Sequence, residues 1–162
     1  MADINQIKQL REETGAGVMA ARKALEESNG DLEKAKQVIY QAGLAKAEKK
    51  SDREVKSGFI YSYIHGNNKV GVLLELNCET DFVAKTDDFS HLAKEISMQV
   101  ASMNPESTEA LLGQDYIRDS SQTIKDLIDS VIGKLGENIS LRRFTRYELG
   151  ELMDGEEAEP AE

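Results

Sequence analysis

The sequence predicts an α+β protein: a small bundle of three N-terminal helices, then a three-stranded antiparallel sheet packed with helices. Three observations carry this. Apolar residues recur at helical spacing through residues 3–44, interrupted by two turn signals. Aromatic and β-branched residues alternate on both sides of Gly66-Asn67-Asn68, a hairpin pattern. Ile124, Leu127, Ile128, Val131, Ile132 and Leu135 follow the i, i+3, i+4, i+7, i+8, i+11 rule of an amphipathic helix.

The elements follow in order. Ile4, Ile7 and Leu10 mark the first helix, and TGAG (14–17) turns the chain, because two glycines in four residues favour a turn. Val18, Ala21 and Leu25 mark the second helix, which Asn29-Gly30 stops. Asp31 is placed to cap the third, whose stripe is Leu32, Ala35, Val38, Ile39 and Ala42. Residues 1–45 are thus expected to form one helical module. AKAEKKSDREVK carries many charges and no large apolar residue beyond Val55, so residues 46–56 read as a helix extension or a linker. Residues 57–150 form the α+β core. Its hairpin pairs Phe59–Ile64 with a return strand whose Val70, Val72, Leu74 and Leu76 share one face. Phe89, Leu92, Ile96, Val100 and Met103 mark a helix that Asn104-Pro105 ends, with Thr86 or Asp87 as its cap. STEALL (107–112) gives one or two helical turns. ISLRRFTRYEL (139–149) is the third strand, but Phe144 falls out of step with Ile139 and Leu141. A bulge near Arg142–Arg143, or a sheet face covered by another chain, accounts for that. ELMDGEEAEPAE (151–162) reads as a solvated acidic tail.

Charge narrows the function classes. The net charge is −10: residues 1–50 are near neutral, residues 51–150 carry 11 basic against 16 acidic side chains, and the tail adds six acids. Such a balance argues against direct nucleic-acid binding, which rests on Lys and Arg. LRRFTRY (141–147) is the one stretch with interleaved arginines and aromatics, and a solvated sheet face explains it as well. No apolar run approaches the ~18 residues of a membrane span, and the N-terminus has no signal core, so the expected setting is cytoplasmic. The single Cys78 excludes an intramolecular disulfide framework.

Catalytic chemistry finds little support. GAG (15–17) lacks the preceding strand and following Lys-Ser/Thr of a phosphate loop. His65, His91 and Cys78 lack metal-ligand spacing, so no metal, cofactor or catalytic residue is assigned. Glu79, Asp81, Asp87 and Asp88 cluster, but acids ahead of a helix also favour its positive end. Phe82 and Val83 within NCETDFVAKTDDF (77–89) remain to be explained: a large ring in a polar connection either folds back on its own core or waits for a partner's pocket.

Two segments, LREETGAGVMAARKALEESNGDLEKA (10–35) and VGVLLELNCETDFVAKTDDF (70–89), with LGENISLRRFTRYELG (135–150) behind them, closely resemble elongation factor Ts. The combination of TGAG, TDFV and GENISLRR in this order is specific, and the likeness runs through nearly the whole chain before the tail. It implies a short member of the family with a single core repeat and a UBA-like N-terminal bundle. It implies a guanine-nucleotide exchange factor, not an enzyme, that binds elongation factor Tu in its GDP-bound and nucleotide-free states. The TDFV loop, here Thr80, Asp81, Phe82 and Val83, would be the exchange loop, with Phe82 entering a crevice between helices beside the partner's magnesium and phosphate site. Arg11, Val18 and Met19 would be the contacts of the N-terminal module. Where some relatives have a His, this chain has Gln99, and many relatives carry a longer insertion between residues 105 and 122. Short members imply a homodimer through the core sheet. The alternative is a helical protein-binding module fused to an α+β domain without exchange activity, in which Phe82 is buried and inert.

Overall fold

The computed structural model describes residues 3–152. The expected acidic tail, 151–162, therefore lies almost wholly outside the described residues. The N-terminal bundle consists of α1 (Ile4–Thr14), α2 (Val18–Glu27) and α3 (Leu32–Glu48). The side chains of Asp3 and Asp31 accept hydrogen bonds from Asn5 and Lys34 N–H, satisfying otherwise orphaned donors at the starts of α1 and α3. The bundle's core is Leu10 and Leu25 set among Ala21, Ala24 and Ala35, with Ile7, Leu32, Val38 and Ile39 at its edge. Three alanines let the helices approach closely. Lys36 of α3 reaches Glu13 of α1 at 2.6 Å, and the hydrogen bonds it donates to Glu13 and Glu33 push its ammonium pKa up to about 12.

The second unit is built on β1 (Ser57–Ile64), β2 (Val70–Cys78) and β5 (Ile139–Glu148), ordered β1-β2-β5 and antiparallel throughout. Val72, Leu74, Leu76 and Cys78 point inward from β2. They meet Phe89, Leu92, Ile96 and Val100 of α5 (Asp87–Met103) and Ile124, Ile128 and Ile132 of α7 (Ile124–Leu135). Thr86 caps α5 by accepting from Phe89 N–H, and Thr123 with Asp126 forms a capping box on α7. Leu76 pairs with Leu141 but Glu75 pairs with Arg143, so Arg142 is one residue too many. That bulge restores the alternation and puts Phe144 on the core face with Leu141. No second chain is needed to account for Phe144.

Beyond these lie α4 (Asp81–Ala84), α6 (Thr108–Gly113), and a small hairpin of β3 (Asp115–Tyr116) and β4 (Asp119–Thr123). The hairpin was not expected, because Asp119–Thr123 (DSSQT) has no apolar alternation. Side chains of α5 hold it. Gln99, fully buried, donates to Gln114 Oε1 and to Asp115 C=O and accepts from Ile117 N–H. Buried Glu95 accepts from the Tyr116 hydroxyl and pairs with Arg118 at 2.9 Å. Gln99 is thus an internal bracket rather than a surface group.

The two units meet where α3 crosses α7. Gly43 and Gly133 face each other so closely that a Cβ on Gly133 would lie 2.5 Å from Gly43 Cα. Ala47, near the end of α3, is buried in the core of the second unit. After Glu48 the chain leaves the helix, so residues 46–56 are first helix and then connection. The Asn138 amide donates to Ser51 C=O at 3.2 Å and to Arg53 C=O at 2.7 Å, tying the connection down.

Candidate interaction site at the Thr80–Phe82 turn

The TDFV segment is not an open loop. It is the single helical turn α4, started by Thr80, whose hydroxyl accepts from Val83 N–H. The turn splits its two apolar residues. Val83 is 5% exposed and belongs to the core, whereas the Phe82 ring is 84% exposed. This corrects the expectation that all four residues face a partner: Val83 anchors the turn, and Asp81 and Phe82 project from it.

The turn is braced from both ends and from across the fold. Behind it, Cys78 is fully buried and its thiol donates to Thr80 C=O at 3.2 Å. Burial, with the Glu137 charge nearby, pushes that thiol's pKa up to about 11. Ahead of it, Thr86 returns its hydroxyl to Val83 C=O at 2.7 Å while capping α5. From the far side comes GEN (136–138). Gly136 ends α7 at φ 81°, a left-handed conformation that costs glycine little. The chain then turns so that both Glu137 oxygens meet Thr80: Oε2 accepts from its N–H at 3.0 Å and Oε1 from its hydroxyl at 2.7 Å. Charge-assisted bonds in such a fork fix direction as well as energy. Glu79 is also used internally, accepting from Asn138 N–H at 2.7 Å and lying 3.6 Å from Arg53.

These commitments occupy Glu79, the first of the four acids that cluster in this segment. Glu79 is held by Asn138 and Arg53, and His65 sits at the opposite end of the hairpin, roughly 23 Å along the strands. Its Nδ1 is paired with the Tyr63 hydroxyl. Among the described residues, no cluster of His, Cys, Asp and Glu is placed to hold a metal ion. The arginines of LRRFTRY are also engaged. Arg142 and Arg143 both pair with Glu75, at 3.6 and 2.7 Å, and Arg146 pairs with Glu148 and Glu151.

In the N-terminal bundle, Val18 (49% exposed) and Met19 (73% exposed) open α2 and face solvent. Arg11, in the last turn of α1, donates to Ala16 C=O at 3.4 Å across the TGAG turn. The structure therefore groups Arg11, Val18 and Met19 around one turn. A second exposed apolar patch, Phe82, stands on the other unit.

A family model described as Elongation factor TS matches residues 79–154. A protein of Coprothermobacter proteolyticus named "Elongation factor Ts" is 46% identical, over 90% of this chain and 96% of its own length. One of the same name from Thermotoga maritima is 43% identical, over 90% of this chain and 94% of its own. The chain belongs to the elongation factor Ts family. That membership gives it a role in translation elongation, and the matched region begins at the braced turn. Among the described residues, no helix is long and apolar enough to cross a membrane.

The sequence reading singled out Thr80, Asp81 and Phe82 and did not see the residues that hold them. Glu137 and Asn138 lie within a motif that was visible, and an acid and an amide directly after a helix-ending glycine were the available signal. Their partners, 57 to 59 positions away, were not.

Proposed function

We propose that this protein is a guanine-nucleotide exchange factor that binds elongation factor Tu and promotes release of its GDP. The observation that carries this reading is the 84% exposed Phe82 ring on a turn fixed by Glu137, Thr86 and a buried Val83. A ring of that size is costly to leave in water, and a braced, exposed aromatic is the type of anchor that dominates an interface once it fills a pocket. Phe82 wedges between helices near the partner's magnesium and phosphate site, with Asp81 competing there for polar partners. Arg11, Val18 and Met19 form a second grip, and residues 1–45 and 57–150 act as two contacting units. No covalent chemistry and no cofactor are required, and the setting is the cytoplasm.

The mechanism is linkage. A factor that binds the nucleotide-free partner more tightly than the GDP-bound one weakens GDP binding by the same factor that GDP weakens its own. The alternative, a binding module fused to an inert α+β domain, calls for a buried Phe82 and is disfavoured by the exposed ring. The outer face of the sheet adds a partner: Ile60, Ile64, Leu73 and Tyr147 are exposed there, beside Arg142, Arg143 and Glu75. An apolar strip flanked by both charges is self-complementary about a two-fold axis, and its occupant in this reading is a second copy of the chain.

The deciding experiment follows release of a fluorescent GDP from elongation factor Tu with the parent and with Phe82→Ala. The parent accelerates release, and the still-folded variant loses about 30-fold, the equivalent of about 2 kcal/mol. Absence of acceleration by the parent with its cognate partner would overturn the exchange reading. Acceleration unaffected by the substitution would remove Phe82 from the mechanism.

A further inference from the structure

Both exposed patches are tied to one short stretch of chain. Gly133 receives α3 at Gly43, Gly136 C=O accepts from Lys50 Nζ at 2.5 Å, and Glu137 grips Thr80. Lys134 completes the set. Its ammonium lies 2.7 Å from Asp88 Oδ1 in the first turn of α5, four residues beyond the turn that carries Phe82. On the way there, its stem lies against the TGAG turn. A Cβ added at Gly15 would sit 2.2 Å from Lys134 Cε and 2.9 Å from Cδ. Gly15 has φ 68°, so a larger residue is disfavoured there by the backbone.

The two contacts of the N-terminal bundle with the core differ in kind. The first runs along α3 alone: its glycine crossing with α7, Ala47 in the second core and Lys50 on Gly136 C=O all follow one helix, so rotation about that helix is the movement they restrain least. The Lys134 prop meets the bundle elsewhere, at the α1–α2 turn that carries Arg11, Val18 and Met19. A support off the line of α3 restrains the rotation that ties along α3 leave freest. The ammonium also suits its place at the carboxyl end of α7 and facing the acidic first turn of α5.

We propose that Lys134 is a positioning residue that sets the distance and angle between the Arg11–Val18–Met19 patch and Phe82, so that one partner is met by both at once. The inference rests on the exchange reading above, and it adds a specific role for a residue that touches neither patch's outward side chains. Two grips on one partner raise affinity through effective concentration only while their spacing matches the span. Both members of the Lys134–Asp88 pair are at least one-third exposed, so the pair itself contributes little to stability. Its loss should loosen the geometry without unfolding the chain.

The test has two arms. Spin labels are placed on Met19→Cys and Phe82→Cys, the buried Cys78 remaining unlabelled, and their distance distribution is measured by pulsed electron resonance. It should be narrow with Lys134, equally narrow in Lys134→Arg, and broadened in Lys134→Met. An unchanged distribution in Lys134→Met overturns the proposal, whether or not the protein proves to be an exchange factor. In the second arm, GDP release from elongation factor Tu is measured for Lys134→Met, Met19→Ala and the double variant, all with Phe82 present. Lys134→Met should raise the half-saturating concentration about three- to tenfold and leave the rate at saturation nearly intact. In that background Met19→Ala should have little further effect, because the second grip is already out of place. Independent, multiplying effects would overturn the proposal, since a merely structural lysine gives that result. If the parent releases no GDP, the exchange reading has failed and the distance arm alone decides the role of Lys134.

Discussion

Glu137 and Cys78 show how single side chains shape the exposed turn without being part of its surface. Glu137 supplies two hydrogen bonds to Thr80. Glu137→Gln removes the charge and leaves one acceptor, a loss of about 1 to 2 kcal/mol concentrated on the turn. The expected outcome is GDP release slowed severalfold with a thermal midpoint lowered by only a few degrees. Unchanged release would show that Phe82 does not need its brace. Cys78 gives a pH dependence. Burial raises its thiol pKa from 9.0 to about 11 in the fold. Above pH 9 the unfolded thiol ionises while the folded one keeps its proton, so the unfolded state binds fewer protons and stability falls between pH 9 and 11. Tyr116 is shifted the same way, by burial and then by its bond to Glu95. Urea midpoints for the parent and Cys78→Ala isolate the thiol: the parent should lose more stability over that window, and parallel curves would count against the buried thiol as the cause.

At the scale of elements, the α3–α7 crossing gives an asymmetric prediction. A Cβ at Gly43 finds Gly133 Cα at 3.9 Å, ordinary contact, whereas a Cβ at Gly133 finds Gly43 Cα at 2.5 Å. Gly43→Ala should therefore be neutral or gain up to about 1 kcal/mol of helix propensity. Gly133→Ala should lose about 1 to 2 kcal/mol by forcing the helices apart, and equal midpoints in denaturant titrations would refute the close approach. The same crossing marks where sequence reading stops. Helices and strands with a regular apolar period were legible: α7, the β1–β2 hairpin, the Asp31 and Thr86 caps. The bulge at Arg142 was one of two explanations and needed the register to choose it. The β3–β4 hairpin was invisible because Gln99 and Glu95, not its own pattern, hold it. The brace on Thr80 was invisible for the same reason: short polar bonds across dozens of residues leave no periodicity.

At the scale of the molecule, the proposed second copy is open to test through the outer sheet face. Ile60, Ile64, Leu73 and Tyr147 form an exposed apolar strip on a chain of 18.0 kDa. Pairing through it, as proposed above, would give a two-fold particle with one Phe82 on each copy. Light scattering at micromolar concentration should return about twice the chain mass, and Leu73→Lys should return the monomer with α5 and the turn intact. A parent that stays monomeric at that concentration removes the second copy from the reading.

One further property follows from α3, which lends Ala35 to the first core and Ala47 to the second. The peptide chain joining the two units is not what keeps them together. Residues 51 and 53 are pinned by Asn138 on either side of Asp52, and α3 is seated on α7 before the connection begins. A nick between Asp52 and Glu54 would leave two fragments whose interface is already complete, the shorter one carrying a finished helix end. The molecule would thus be divisible in covalent terms while its two unequal parts stay seated on one another.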